Sequence, residues 1–168
     1  MIVTGRARVF GDDVNTDYVV SSARKRETID ATQLARYLFE SIDPAFAASI
    51  KPGDLLVGGK NFGCGSAMEV AATVIQATGI RAVLARTFAR SFYRNAINNG
   101  LLIVECDTSF ITEGDEMRVR LDDVAATVEN VTGNRTTTGA PLPAIMRGIL
   151  EAGGLVEYLV KNTGVWRF

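Results

Sequence analysis

Residues 55–66, Leu55-Leu56-Val57-Gly58-Gly59-Lys60-Asn61-Phe62-Gly63-Cys64-Gly65-Ser66, pass from a short apolar run into a glycine-rich loop and stop at a serine. Residues 66–78 carry enough apolar side chains for a helix, Gly79 ends it, and Ile80-Arg81-Ala82-Val83-Leu84-Ala85 reads as a second strand. Together they spell a β–loop–α–β unit. A crossover of this length makes its two strands parallel and its connection right-handed. Residues 88–98 predict a second helix, closed by Asn99-Gly100, and residues 101–105 a third buried strand. The fold class is therefore α/β, a three-layer arrangement around a parallel βαβ core.

Upstream, Val3, Ala7 and Val9 within residues 2–10 read as a strand, and Gly11-Asp12-Asp13-Val14-Asn15-Thr16-Asp17 as an acidic loop of backbone-bonding side chains. Leu34, Tyr37 and Leu38 predict a helix over 31–40, and Pro44 opens a short one that runs to about Ile50. Downstream the texture changes to alternation: Met117, Val119 and Leu121 against Arg118, Arg120 and Asp122, then Ala126, Val128 and Val131. This predicts an added antiparallel β section with one wet face. Residues 132–139 read as a polar loop, and 142–152 and 155–161 as two closing helices around Gly153-Gly154. No repeat or interdomain linker interrupts residues 1–168, which read as one domain.

Lys and Arg total 18 against 19 Asp and Glu, so the net charge of −1 gives no footprint for nucleic acid or an anionic membrane. No apolar run is long enough to span a bilayer and the first residues lack the order of a signal peptide, which predicts a cytoplasmic protein. There is no histidine. A Ser-His-Asp triad, a Cys-His pair and a His-ligated zinc are thereby excluded within the chain. The two cysteines, Cys64 and Cys106, are too few for a zinc or an iron–sulfur cluster, so any metal has to come from a partner.

The glycine loop is where chemistry is expected. Gly59, Gly63 and Gly65, with Ser66, between a buried strand and a helix start aim backbone N–H groups and the positive helix end at whatever fills the mouth, a small carboxylate or a phosphate. The alternative is structural: Ser66-Ala67-Met68-Glu69 has the spacing of a capping box, worth about 1 kcal/mol. No lysine stands immediately before Ser66 and no Gly-x-Gly-x-x-Gly is present, so neither standard phosphate-loop pattern applies.

The run Gly59 to Ser66 resembles the loop of the small subunits of the aconitase superfamily, in particular the 3-isopropylmalate dehydratase and homoaconitase group. Residues 11–17 resemble that family's Gly-Asp-x-Val/Ile-Asp/Asn-Thr-Asp, and Phe88-Ala89-Arg90-Ser91-Phe92-Tyr93-Arg94-Asn95-Ala96-Ile97-Asn98-Asn99-Gly100 its Phe-Ala-Arg-Ile-Phe-Tyr-Arg-Asn-Ala-Ile-Asn-x-Gly. Ile149-Leu150-Glu151-Ala152-Gly153-Gly154-Leu155 resembles its C-terminal segment. The likeness covers nearly the whole chain.

The resemblance implies a swivelling β/β/α domain that covers the active site of a separate large subunit. That partner would carry a [4Fe–4S] cluster, and this chain would bind no cofactor itself. It implies Ser66 as the base that takes a proton from substrate carbon. Asn61, Gly65 and Ala67, with Arg24, Lys25 and Arg26 of a second loop that reads the variable group, become candidate substrate-binding residues. The implied reaction is dehydration of a malate-type substrate, with rehydration through an alkene.

The family continues Ser-Ser-Arg-Glu-His-Ala where this chain has Ser66-Ala67-Met68-Glu69-Val70-Ala71. In relatives the arginine at the Met68 position contacts a substrate carboxylate, which methionine cannot do, and the nearest clear cations are Arg24 to Arg26. Two further readings stay open: a dimethylmalate-type dehydratase with a less cationic pocket, and a non-catalytic anion-binding or regulatory module. The cationic run 24–27 reads equally as a solvated turn. Cys64 is either a partly ionised, oxidation-sensitive thiol or an inert packed one. Arg90 and Arg94, four apart, either pair with carboxylates or form a solvated or subunit-facing stripe, and Trp166 is expected in packing or an interface.

Overall fold

The computed structural model describes residues 1–163, so Trp166 lies outside the described residues. In chain order the elements are β1 (Ile2–Val9), α1 (Thr16–Val19), α2 (Ser22–Glu27), α3 (Ala31–Leu34), α4 (Phe46–Ser49), β2 (Leu55–Val57), α5 (Glu69–Ala77) and β3 (Ala82–Ala85). They continue as α6 (Arg90–Asn98), β4 (Leu102–Glu105), β5 (Glu116–Leu121), β6 (Ala126–Asn130), β7 (Arg135–Gly139), α7 (Ala144–Ala152) and α8 (Leu155–Thr163).

The strands form one mixed sheet in the order β4-β3-β2-β1-β5-β6-β7. β1, β2, β3 and β4 are parallel, which is the expected βαβ core, whereas β5, β6 and β7 form an antiparallel meander on the other side of β1. The two halves of β1 serve different neighbours: Ala7, Arg8 and Val9 pair with β2, and Ile2 to Arg6 pair with β5. Gly5 sits at that change of partner, where a Cβ would fall on the Gly53 carbonyl oxygen. Burial follows sheet type. Every residue of β2 and β3 is buried, as parallel strands covered on both faces require. β5 alternates strictly, with Met117, Val119 and Leu121 inside.

Three segments depart from the sequence-based expectation. Residues 135–139 are strand β7, paired from Asn130↔Arg135 to Ala126↔Gly139, and not a loop. Arg-Thr-Thr-Thr-Gly has β-branched residues but, on an edge strand with little buried, shows no apolar alternation for the period test to find. The 31–40 helix stops after one turn and a 3₁₀ turn at Ala35–Tyr37. Phe39 there adopts φ +56° and turns its ring onto Phe10 and Phe46, at centroid distances of 4.4 and 5.3 Å, so core packing overrides helical periodicity. The cationic run 24–27 is the end of helix α2, not a loop; the Ser21 hydroxyl caps it by accepting from the Arg24 N–H.

Candidate active site

The loops that leave the C-terminal ends of β1, β2 and β3 lie side by side, the position where open parallel sheets bind ligands. Main-chain bonds lace them together. The Gly59 N–H donates to the Gly11 carbonyl at 2.9 Å, Asp13 to Lys60, Gly63 to Val14 and Thr16 to Cys64, each of the last three at 2.8 Å. On the other side Phe62 donates to the Thr87 carbonyl at 3.0 Å and Ala89 to Phe62 at 2.9 Å. The glycine loop is thus held between the acidic loop and the start of α6.

Asn61 takes φ +58°, with its side-chain amide on Asp13 Oδ1 at 2.7 Å and its N–H on Thr87 Oγ1 at 2.8 Å. It is exposed, so its loop-holding bonds do not bury it. Gly63 (φ +81°) lies against Phe92, and Gly65 (φ +88°) against the Asn15 side chain. A left-handed backbone with no room for a Cβ leaves glycine as the fitting residue at both.

Gly65, Ser66 and Ala67 are exposed at the mouth. The Ser66 carbonyl oxygen accepts twice, from Thr16 Oγ1 and from the Met68 N–H, both at 2.8 Å. Those bonds fold Ser66 into a turn ahead of the helix. Consequently the capping box does not form: α5 begins at Glu69, its cap is Met68 in extended backbone, and no side chain caps it. The Ser66 hydroxyl has no hydrogen-bond partner among the described residues. It is left free in front of an uncapped helix start.

Helix α2 presents its three cations differently. Arg24 is held by Glu40 through Nε at 2.9 Å and Nη2 at 3.2 Å, meets Glu27 at 3.3 Å, and stacks 3.9 Å from the Tyr37 ring centroid. Lys25 turns to the glycine loop, its Nζ 3.0 Å from Asp17 Oδ1 and 3.1 Å from Met68 Sδ. Arg26 is exposed and has no partner among the described residues. Met68 also lines an open hollow with Ile29, Glu69, Val70 and Thr73.

The surroundings of Cys64 disfavour its thiolate. Burial, and then the Asp13 charge, push its pKa up, which favours the inert thiol over the partly ionised one. Cys106 is buried and pushed up to about 12, mainly by desolvation. Arg90 and Arg94 are exposed and no carboxylate pairs with them among the described residues, which leaves the solvated or subunit-facing reading. Sequence reasoning on residue types missed Thr16, Asp17, Asn15 and Thr87 as the groups that fix the loop. The Asx-rich turn 11–17 was legible as a loop of backbone-bonding side chains, but its partners, the Ser66 carbonyl for Thr16 and Lys25 for Asp17, lie too far along the sequence to be read from it.

Residues 18–109 match the aconitase C-terminal domain family. The chain belongs to that family. Its relatives span it from end to end: it is 44% identical over 161 residues to the 3-isopropylmalate dehydratase small subunit of Caldicellulosiruptor saccharolyticus, covering 95% of this chain and 91% of that protein. From Methanocaldococcus jannaschii, the isopropylmalate/citramalate isomerase small subunit is 44% identical over 163 residues, covering 96% of this chain and 95% of that one. The methanogen homoaconitase small subunit of the same organism is 44% identical over 162 residues, covering 96% and 94%. A crystal structure of 3-isopropylmalate dehydratase from that organism superposes with a TM-score of 0.91 at 42% identity, covering 98% of this chain and 97% of the other. The aconitase-family match includes α2, the glycine loop, Ser66 and α6, and begins just after the acidic loop 11–17. Among the described residues of this aconitase-family chain, no group of three or more His, Cys, Asp or Glu could hold a metal ion, and no helix is long and apolar enough to cross a membrane.

Proposed function

We propose that this chain is the small subunit of a heteromeric hydro-lyase and isomerase acting on a malate-type substrate of the 3-isopropylmalate or homoaconitate class. A large subunit would carry the [4Fe–4S] cluster, and the two would meet across the exposed mouth at Gly65–Ala67. This chain's own donors do not fit such a cluster, since Cys64 and Cys106 are its only cysteines and it has no histidine. Its share of the reaction is the proton and the anionic end of the substrate.

In this reading Ser66 Oγ, ionised to the alkoxide, takes a proton from the substrate carbon next to the one that loses hydroxide, a departure that a metal on the large subunit would assist. Carbon–hydrogen bond electrons become the alkene, and rehydration returns the proton to complete an isomerisation. A serine hydroxyl is a poor base unless its oxyanion is stabilised. The start of α5, nine residues long and without a side-chain cap, supplies positive potential beside the Ser66 turn. Asn61, Gly65 and Ala67 border the substrate through the same loop, and Arg26, exposed and unpaired, reads the variable group from α2. Arg24, held by Glu40, contributes by fixing the helix that carries Lys25 and Arg26.

The observation that carries the reading is the Ser66 turn itself, a carbonyl pinned from two sides with the hydroxyl left exposed and unpartnered. Ser66→Ala in the reconstituted heteromer is expected to lower kcat by about 10²–10⁴-fold. Because the hydroxyl caps nothing, stability is expected to stay within about 0.5 kcal/mol of wild type. A mutant with near wild-type kcat would remove Ser66 from the chemistry.

A further inference from the structure

Lys25 is the one lysine among the described residues that is not exposed. Its side chain is 13% exposed, against 43% for its partner Asp17. An ammonium has three donors. Here one is directed to Asp17 Oδ1 at 3.0 Å and another to Met68 Sδ at 3.1 Å, a weak thioether acceptor. Drawing a strongly hydrated point charge out of water onto such an acceptor is unfavourable, and a ligand carboxylate is the better partner.

The surroundings fix this charge to the Ser66 turn. Thr16 and Asp17 are consecutive: the Thr16 hydroxyl holds the Ser66 carbonyl, and the Asp17 carboxylate holds Lys25. Met68, which Lys25 touches, is two residues beyond Ser66 and borders an open hollow rather than the core. The other cations of α2 are not so placed, since Arg24 is taken up by Glu27 and Glu40 and Arg26 has no contact with the loop.

We propose that Lys25 binds a carboxylate of the substrate beside Ser66, displacing its contact with Met68. It thereby supplies from α2 the positive charge that an arginine at position 68 would supply from the glycine loop. The proposal rests on the Ser66 reading above and names the residue that orients the substrate for it. Asp17 positions Lys25 and does not touch the substrate.

The test is made in the heteromer reconstituted with its large subunit, on whichever of 3-isopropylmalate, citramalate and homoaconitate it turns over best. Lys25→Met is expected to raise KM, with kcat/KM falling about ten- to a hundredfold, as loss of a charge-assisted hydrogen bond predicts. The double variant Lys25→Met/Met68→Arg is expected to recover kcat/KM to within about threefold of wild type, a rescue that a merely structural lysine would not show. Lys25→Gln provides the same comparison if the methionine variant folds poorly, with melting temperature measured for each. Unchanged KM in a folded Lys25 variant, or no recovery on adding Met68→Arg, overturns the assignment. Failure of the underlying reading shows separately, as near wild-type kcat in Ser66→Ala.

Discussion

Gly63 and Gly65 are the positions in the glycine loop where an added methyl group would meet both a crowded neighbour and a left-handed backbone. A Cβ on Gly63 would lie 2.2 Å from Phe92 Cγ, at a backbone φ of +81° that L side chains rarely adopt. Phe92 is buried and packs with Phe62 at 5.4 Å and Phe88 at 6.2 Å between ring centroids, so it has little room to yield. Gly63→Ala is expected to destabilise the fold by about 2–4 kcal/mol, from overpacking and backbone strain together, read as a lower urea midpoint. A loss under about 0.5 kcal/mol would show that the Phe92 ring moves freely. At this scale the sequence was informative about identity and poor about contact. The glycine loop and Ser66 stand out by composition, but the capping-box spacing misleads because Thr16, fifty residues away in sequence, pulls the Ser66 carbonyl out of the helix. Arg24, Lys25 and Arg26 are equivalent as a string of cations. Only the packing of α2 against Glu40, Tyr37 and Met68 separates a structural arginine from a lysine facing the loop.

Elements are joined in the meander half by a buried polar knot rather than by apolar contact alone. Asp115, just before β5, accepts at Oδ2 from the Thr112 N–H at 2.8 Å, the Thr112 hydroxyl at 3.0 Å and the Asn130 amide at 2.7 Å. Asn130, fully buried at the end of β6, accepts in turn from the Gly133 N–H at 2.7 Å and so shapes the β6–β7 turn. These donors hold the Asp115 carboxyl below its ordinary 3.8, the Thr112 main-chain bond foremost. A carboxyl with a lowered folded pKa contributes stability that is complete above the unfolded value and lost as pH falls through the folded one. Asp115→Asn is therefore expected to cost about 1–3 kcal/mol at neutral pH. The gap between mutant and wild-type urea midpoints should narrow as pH drops below about 3.8, and a gap independent of pH would show that the charge is not what the knot uses. Elements with strong periodicity were legible: β5 by alternation, and β2 and β3 as short apolar runs. β7 and α2 were not, because a threonine-rich edge strand and a polar one-and-a-half-turn helix bury too little to leave a hydrophobic pattern.

For the molecule as a whole, the proposed heteromer accounts for both the composition and the open mouth. The chain has no histidine and two cysteines, and among its described residues no side-chain group is placed to hold a metal. The mouth at Gly65, Ser66 and Ala67 is open to solvent, whereas a serine oxyanion needs a closed, water-poor setting to act as a base. The parallel core was legible from the β–loop–α–β spelling, which also sets the glycine loop at the C-terminal end of β2. Exposed loop residues look the same in sequence whether water or a partner lies over them. The purified chain, assayed anaerobically with iron and sulfide but without a large subunit, is expected to dehydrate none of 3-isopropylmalate, citramalate or homoaconitate, and addition of the large subunit should bring turnover. Alkene formation is followed by ultraviolet absorbance in both arms. Turnover by the chain alone at a rate comparable to the pair would mean that Ser66 works uncovered and that the heteromer is not needed for the chemistry.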